Sequence, residues 1–143
     1  MRALLDVNVL IALLDQAHPY HPPAMAWLGA NIKHGWASCP ITQNGCVRIM
    51  SQAAYPGERT AGQVLQRLRE ATSHSAHEFW PDDLPITDVR AIDGARVHSP
   101  RQVTDIYLLA LAVRRNGRLA TFDAGIALSA VRGATARHLV ALP

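Results

Sequence analysis

The sequence predicts an α/β fold built around a mainly parallel sheet, and three observations carry that prediction. Short apolar stretches that read as strands alternate with longer segments that read as helices from one end of the chain to the other. Three aspartates, Asp6, Asp105 and Asp123, lie at strand or helix ends widely separated in sequence, and a parallel sheet would gather them. No repeat, low-complexity stretch or linker divides the 143 residues, so residues 1–143 read as a single domain large enough to bury a core without disulfide staples.

Arg2 to Leu5 reads as a short buried strand ending at Asp6, and Val7 to Leu14 as a helix closed by the turn Asp15 to Pro19. Pro22-Pro23 suits the first turn of the next helix, because proline there gives up an N–H that has no helical partner. Gly35 ends that unit. Trp36 to Cys39 fits a second strand, and Pro40 or Thr42 opens a helix carrying Val47 and Met50. Gly57 to Glu70 is amphipathic, with Val64, Leu65 and Leu68 on one side and arginines on the other. His77 to Trp80 reads as a third strand stopped by Pro81-Asp82-Asp83, Ile86 to Ala95 as a helix, and Val97 to Gln102 as a loop. Thr104 to Asn116 is apolar on nearly every face and predicts a buried helix stopped by Gly117. Arg118 to Phe122 and Thr135 to Val140 complete the strands, with a short helix between them after Asp123.

Composition excludes several classes. Apolar residues make up 49% and charged residues 17%, which fits a folded chain rather than a disordered one. The longest apolar run, Ile106 to Val113, is far short of the roughly 20 residues that span a bilayer, and Asp6 interrupts the N-terminal apolar segment. The expected location is therefore the cytoplasm, with no membrane association. Cys39 and Cys46 are the only cysteines and lack the spacing of zinc or redox motifs, so two reduced, buried thiols are expected. Net charge is +3, and every basic residue except Lys33 is arginine, whose planar fork suits phosphate. That charge permits nucleic-acid binding without demanding it.

The three aspartates carry the chemistry. Each alone could be a helix cap. Together they would repel one another unless a divalent cation neutralised them, which points to a metal site. Hard cations such as Mg²⁺ or Mn²⁺ prefer oxygen ligands and activate water against phosphodiesters, so the expected reaction is hydrolytic phosphoryl transfer. Asn8, Thr104 and Thr121 stand beside the aspartates and are candidates to position water, while Arg101 is the candidate to bind phosphate. Competing schemes fail on spacing. The seven histidines form no His-Glu-x-x-His, and the chain has neither Gly-x-Ser-x-Gly nor a phosphate-binding glycine loop. A dehalogenase-like phosphatase would need an acid where Asn8 stands, and a receiver domain would need adjacent acids and a late lysine.

Three blocks of sequence now stand together: Leu5-Asp6-Val7-Asn8-Val9-Leu10-Ile11-Ala12-Leu13, the segment Cys39 to Arg48, and Val103 to Ala112 followed by Leu119-Ala120-Thr121-Phe122-Asp123. In this order, over essentially the whole chain, they resemble PIN-domain ribonucleases, and among them the VapC toxins of bacterial toxin–antitoxin pairs. The resemblance implies a three-layer α/β/α sandwich and Mg²⁺- or Mn²⁺-dependent endonucleolytic cleavage of RNA. It matches Asp6, Asp105 and Asp123 to the family's metal-binding acids. It also implies a homodimer and a VapB-type antitoxin that blocks the acidic site. One departure stands out. PIN domains usually carry a fourth acid on the helix after the second strand, and here that neighbourhood is Gln43-Asn44-Gly45. Gln43 or Asn44 could serve through an amide oxygen, or Asp82 or Asp83 from another loop. The missing acid keeps a second reading open, a catalytically weak PIN-like module that binds RNA or a partner. Which RNA is cut is not legible, since single-stranded recognition depends on shape and stacking; Trp27, Trp36, Trp80 and Tyr55 could stack bases or simply pack the core.

Overall fold

The computed structural model describes residues 1–143. Its sheet has five strands, β1 (Ala3–Leu5), β2 (Trp36–Ser38), β3 (His77–Phe79), β4 (Arg118–Thr121) and β5 (Leu139–Ala141), in the order β3-β2-β1-β4-β5. All four pairings are parallel, with Leu4 of β1 registered on Ala37 of β2 and on Leu119 of β4. Central β1 is buried throughout, as expected of a parallel strand covered on both faces.

Side chains alternate across the sheet and so build two cores. Ala3 and Leu5 point to one side, where they meet α1 (Val7–Leu14), α2 (His21–Asn31), α3 (Pro40–Met50) and α4 (Ala61–Thr72). Leu4, Ala37 and Leu119 point to the other, where α5 (Val103–Arg114) lies with Ile106 to Ala112 all buried. The result is the expected α/β/α sandwich. The chain passes outward from β1 to β2 and β3, then crosses back to β4 and β5 on the other flank. The strand order therefore reverses at β1 and β4, and the crevice beyond their carboxyl ends is where such sheets bind ligands.

Several boundaries differ from expectation, each for a local reason. Ile86 to Ala95 is not a helix. Asp88 accepts the Arg90 N–H and Asp93 accepts the Ala95 N–H, so both aspartates cap tight turns in place of helix. The same segment pairs sideways with residues 130–132, through an Ile92–Val131 bridge and bonds from Asp93 to Ala130 and from Arg132 to Ala91. After Asp123 only a single 3₁₀ turn forms, Leu128–Ala130. Ala136–His138 is likewise a 3₁₀ turn, capped by Thr135, whose N–H donates to Nδ1 of His138, and the last strand starts at Leu139. The α4 helix starts at Ala61 because Thr60 and Gln63 form a reciprocal capping box. Leu65 faces outward on that helix, while Val64 and Leu68 are buried.

At the end of α5 it is Asn116 that takes the left-handed conformation, with φ 54°, and not Gly117. Gly117 is required for a different reason. A Cβ there would lie 2.6 Å from both the Arg2 carbonyl oxygen and Cη2 of Trp80. Trp36 and Trp80 are buried, and the Tyr55 hydroxyl donates to Asp15, so these three rings are structural. Cys39 and Cys46 are buried free thiols, and burial pushes Cys46 up to about 12.

Candidate active site at the carboxyl ends of the strands

Asp6 follows β1 directly, and its N–H donates to the Ala120 carbonyl of β4 at 2.9 Å, which pins it over the switch point. It is 6% exposed. One carboxylate oxygen accepts the Val7 N–H at 2.7 Å, so Asp6 does cap α1. The other accepts the Thr121 hydroxyl, also at 2.7 Å. Burial is the main influence on its pKa and raises it. The bonds from Thr121 and Val7 work against that rise, and the charge on Asp123 adds to it.

Thr121 proves to be a hub. Its side chain is buried, its hydroxyl donates to Asp6, and its oxygen accepts the Asp123 N–H at 3.1 Å. Thr121, a candidate to position water, holds two of the acids together. The Thr-x-Asp spacing after a strand is the signal that could have found this, because a hydroxyl there reaches the loop N–H two residues on. Asp123 is exposed, and one of its oxygens accepts the Gly125 N–H at 2.7 Å.

Asp105, in the first turn of α5, is half-buried and differs from the other two. Burial first, then the charges of Asp6 and Asp123, push its carboxyl up to about 6, and no protein donor offsets them. Asp6 and Asp123 both act on Asp105, and Asp123 acts on Asp6, so three separate elements bring these acids within electrostatic reach of one another. They are not a closed cage, for nowhere do three His, Cys, Asp or Glu side chains converge tightly enough to hold an ion unaided. An all-oxygen set with one uncommitted carboxylate fits a cation such as Mg²⁺, which binds one or two carboxylates and keeps several waters. It does not fit a structural zinc site, which needs four closed nitrogen or sulfur ligands.

Asn8, Thr104 and Arg101 are exposed, on the first turn of α1, the first turn of α5 and the 3₁₀ turn just before α5. Asn44 and Gln43 instead line a groove between α3 and α4 to which none of the three aspartates contributes. Gln43 is already engaged: its amide donates to Ser38 Oγ at 2.9 Å, and that hydroxyl also shares a hydrogen bond with Nε2 of His77 at 2.8 Å. No spacing in the sequence announced that chain. Gly45 packs on Val7, and a Cβ there would come within 3.0 Å of a valine methyl. Asp83 pairs with Arg115 at 3.0 Å, and Asp82 lies near Cys39 and Tyr107 with one buried oxygen lacking a partner. Neither is among the groups that act on Asp6 or Asp105.

Known proteins match this chain in sequence and in fold. The family model described as PIN domain matches residues 3–132. Ribonuclease VapC44 of Mycobacterium tuberculosis is 55% identical over 142 residues, covering 99% of this chain and 100% of its own. Ribonuclease VapC39 of the same organism is 46% identical over 134 residues, covering 93% of this chain and 96% of its own. Among solved structures, VapBC2 from Rickettsia felis, bound to a DNA fragment from their promoter, superposes with a TM-score of 0.66 at 13% identity, covering all of both chains.

Proposed function

Because the chain belongs to the PIN-domain family, we propose that it is a VapC-type toxin, an endoribonuclease that hydrolyses phosphodiester bonds in RNA. The observation that carries the reading is the coupling of Asp105 to Asp6 and Asp123 at the strand-order reversal. Residues 1–143 act as one domain, supported by the two cores that share a single sheet.

We assign Mg²⁺ or Mn²⁺ as the cofactor, with Asp6 and Asp105 the principal ligands and Asp123 a third ligand or the group that orients water. When bound, such a cation polarises a phosphodiester and lowers the pKa of a coordinated water. The chain supplies everything else. Thr121 fixes the Asp6 carboxylate and the Asp123 backbone, so two anionic groups keep their places before substrate arrives. Asn8 and Thr104, exposed on the first turns of α1 and α5, are assigned to position water, and Arg101, exposed on the turn before α5, to bind a phosphate through its fork. Asn44 belongs to the neighbouring groove and acts on substrate from there, while Gln43 stays engaged with Ser38.

A VapB-type antitoxin is the expected partner, in keeping with the toxin–antitoxin neighbour. An apolar groove that could seat a partner helix runs between α2 and α4 over α1, lined by Leu10, Leu13, Met25, Leu28 and Ile32. Assembly as a homodimer and residence in the cytoplasm complete the reading; no helix is long and apolar enough to cross a membrane.

The test is cleavage of a total RNA pool by purified protein with Mg²⁺, with Mn²⁺ and with chelator, beside Asp6→Asn and Asp105→Asn. Discrete metal-dependent fragments absent from both variants are expected. Fragments that persist in both clean variants would refute the assignment of the site. Intact RNA under every condition, with binding retained, would favour the weak module instead. The absence of a carboxylate from Gln43 to Gly45 is what favours that second reading.

A further inference from the structure

Three carboxylates offset the charge of any cation they hold, so attraction for the RNA strand beyond the pocket has to come from cations elsewhere on the chain. Many arginines are already engaged. Arg2 pairs with Glu78, Arg59 with Asp15 and Arg115 with Asp83, while Arg118 bonds to Asn31 and lies over Trp27. One groove sets three guanidinium groups against a single carboxylate of its lining, Asp88. It lies beside the carboxyl-terminal half of α5, has a volume of about 390 Å³, and is rimmed by Arg90, Arg114 and Arg132 above a floor that includes Leu84, Val113 and Val131.

The rim is built unevenly. Arg90 is paired with Asp88 at 3.2 Å. Arg114 comes no closer than 4.0 Å to Asp83, which Arg115 already holds at 3.0 Å. Arg132 donates its Nε–H to the Val89 carbonyl at 2.7 Å, which fixes the guanidinium and leaves both terminal nitrogens for another acceptor. Arg132 thus presents an oriented, unpaired fork and Arg114 a loosely paired one within reach of Asp83 and Asp88, and over an apolar floor the two suit phosphates flanking a ribose or the edge of a base.

We propose that this groove is a remote anchor for the RNA strand, with Arg114 and Arg132 holding backbone phosphates away from the scissile bond. The proposal rests on the ribonuclease reading. Its floor has no aromatic side chain on which a base could stack, so the anchor is indifferent to sequence. Asp105 and Arg114 stand at opposite ends of α5, about 14 Å apart along the helix axis by its rise per residue. Only a strand long enough to reach both ends gains from the groove. An acidic peptide would satisfy the same guanidiniums, but RNA is favoured because the anionic site on the same helix requires a cationic anchor for its substrate.

The test uses the full chain carrying Asp6→Asn, in chelator, so that RNA is bound and not consumed. Arg114→Gln with Arg132→Gln should weaken binding of a long single strand on the order of tenfold. The slope of log affinity against log salt should become shallower by about 1.4, the release expected for two phosphates of a single strand. An oligonucleotide that covers only the acidic pocket should bind as before. Arg114→Glu alone, which leaves the Arg132–Val89 bond in place, should weaken the long strand at an unchanged melting temperature. Unchanged affinity and slope for the long strand would overturn the proposal, as would equal losses for long and short RNA. Normal RNA binding combined with loss of the co-expressed antitoxin would also overturn it and assign the groove to an acidic protein partner. Arginine-dependent binding in a parent protein that never cleaves RNA would uphold the groove and refute the nuclease, so the two failures are distinct.

Discussion

Replacing Thr121 with valine removes one oxygen and almost no volume, which makes it a sharp probe of how the acids are held. The lost hydroxyl donates at 2.7 Å to the buried Asp6 carboxylate and accepts the Asp123 N–H at 3.1 Å. A hydrogen bond to a charged acceptor contributes about 1.5–3 kcal/mol. The Asp123 bond lies toward an exposed loop, where water replaces it at little cost. The expected destabilisation is therefore about 2–3 kcal/mol. At about 3 °C per kcal/mol for a chain of this size, the metal-free protein should melt roughly 6–9 °C lower. Asp6 also loses a bond that restrains its raised pKa, so the acid limb of the cleavage profile should move to higher pH. Thermal unfolding in chelator and cleavage against pH read the two effects, with Thr121→Ser as the variant that keeps the hydroxyl. The cost should shrink to less than about 1 kcal/mol in an Asp6→Asn background, where the charged acceptor is gone. A valine variant that melts with the parent and keeps its pH profile would refute the reasoning. So would a serine variant as damaged as valine, since the lost methyl would then be responsible.

The carboxyl of Asp105, at about 6 against an ordinary 3.8, should make its own mark on stability. Between those values the native state keeps a proton that the unfolded chain has released, so this group's contribution falls as pH rises from about 4 to 6. The melting temperature of the metal-free parent, minus that of Asp105→Asn, should follow this fall, and stabilisation by Mg²⁺ should grow over the same window; a flat difference would count against the shared pocket. At the far end of α1, burial disfavours the Asp15 carboxylate, yet Tyr55, the Ala17 N–H and Arg59 together hold its pKa below the ordinary value. Tyr55→Phe should cost about 1.5–3 kcal/mol in urea unfolding at neutral pH. Because a depressed pKa stabilises only above the unfolded value, that cost should fade below about pH 4, and a pH-independent loss would point to packing. Gly117→Ala should cost about 1–3 kcal/mol through overpacking against Arg2 and Trp80, and a fully stable alanine variant would show that the close approach relaxes freely.

The elements that periodicity specifies were legible. Val7–Leu14 was read to the residue, and the buried α5 helix followed from an apolar run on every face. Ile86 to Ala95 has helical spacing of apolar residues, but Asp88 and Asp93 turn inward on their own backbone and the segment pairs with residues 130–132. That pairing crosses some forty residues, and no local pattern announces it. That Leu65 stays exposed beside buried Val64 and Leu68 was equally hidden, since the face that an amphipathic helix buries depends on the partner it meets.

Asp6, Asp105 and Asp123 could be named from the sequence because strand ends in a parallel sheet share one edge, and the ordered blocks around them resemble one family. Their inequality could not. Burial and hydrogen bonding are properties of the surroundings, so only the folded chain shows Asp6 clamped between Val7 and Thr121 while Asp105 is left without a donor. The same division separates charge from its use. The arginine content is written in the sequence, but pairing depends on distance, and the tertiary structure alone decides which guanidiniums meet a carboxylate and which face an open groove.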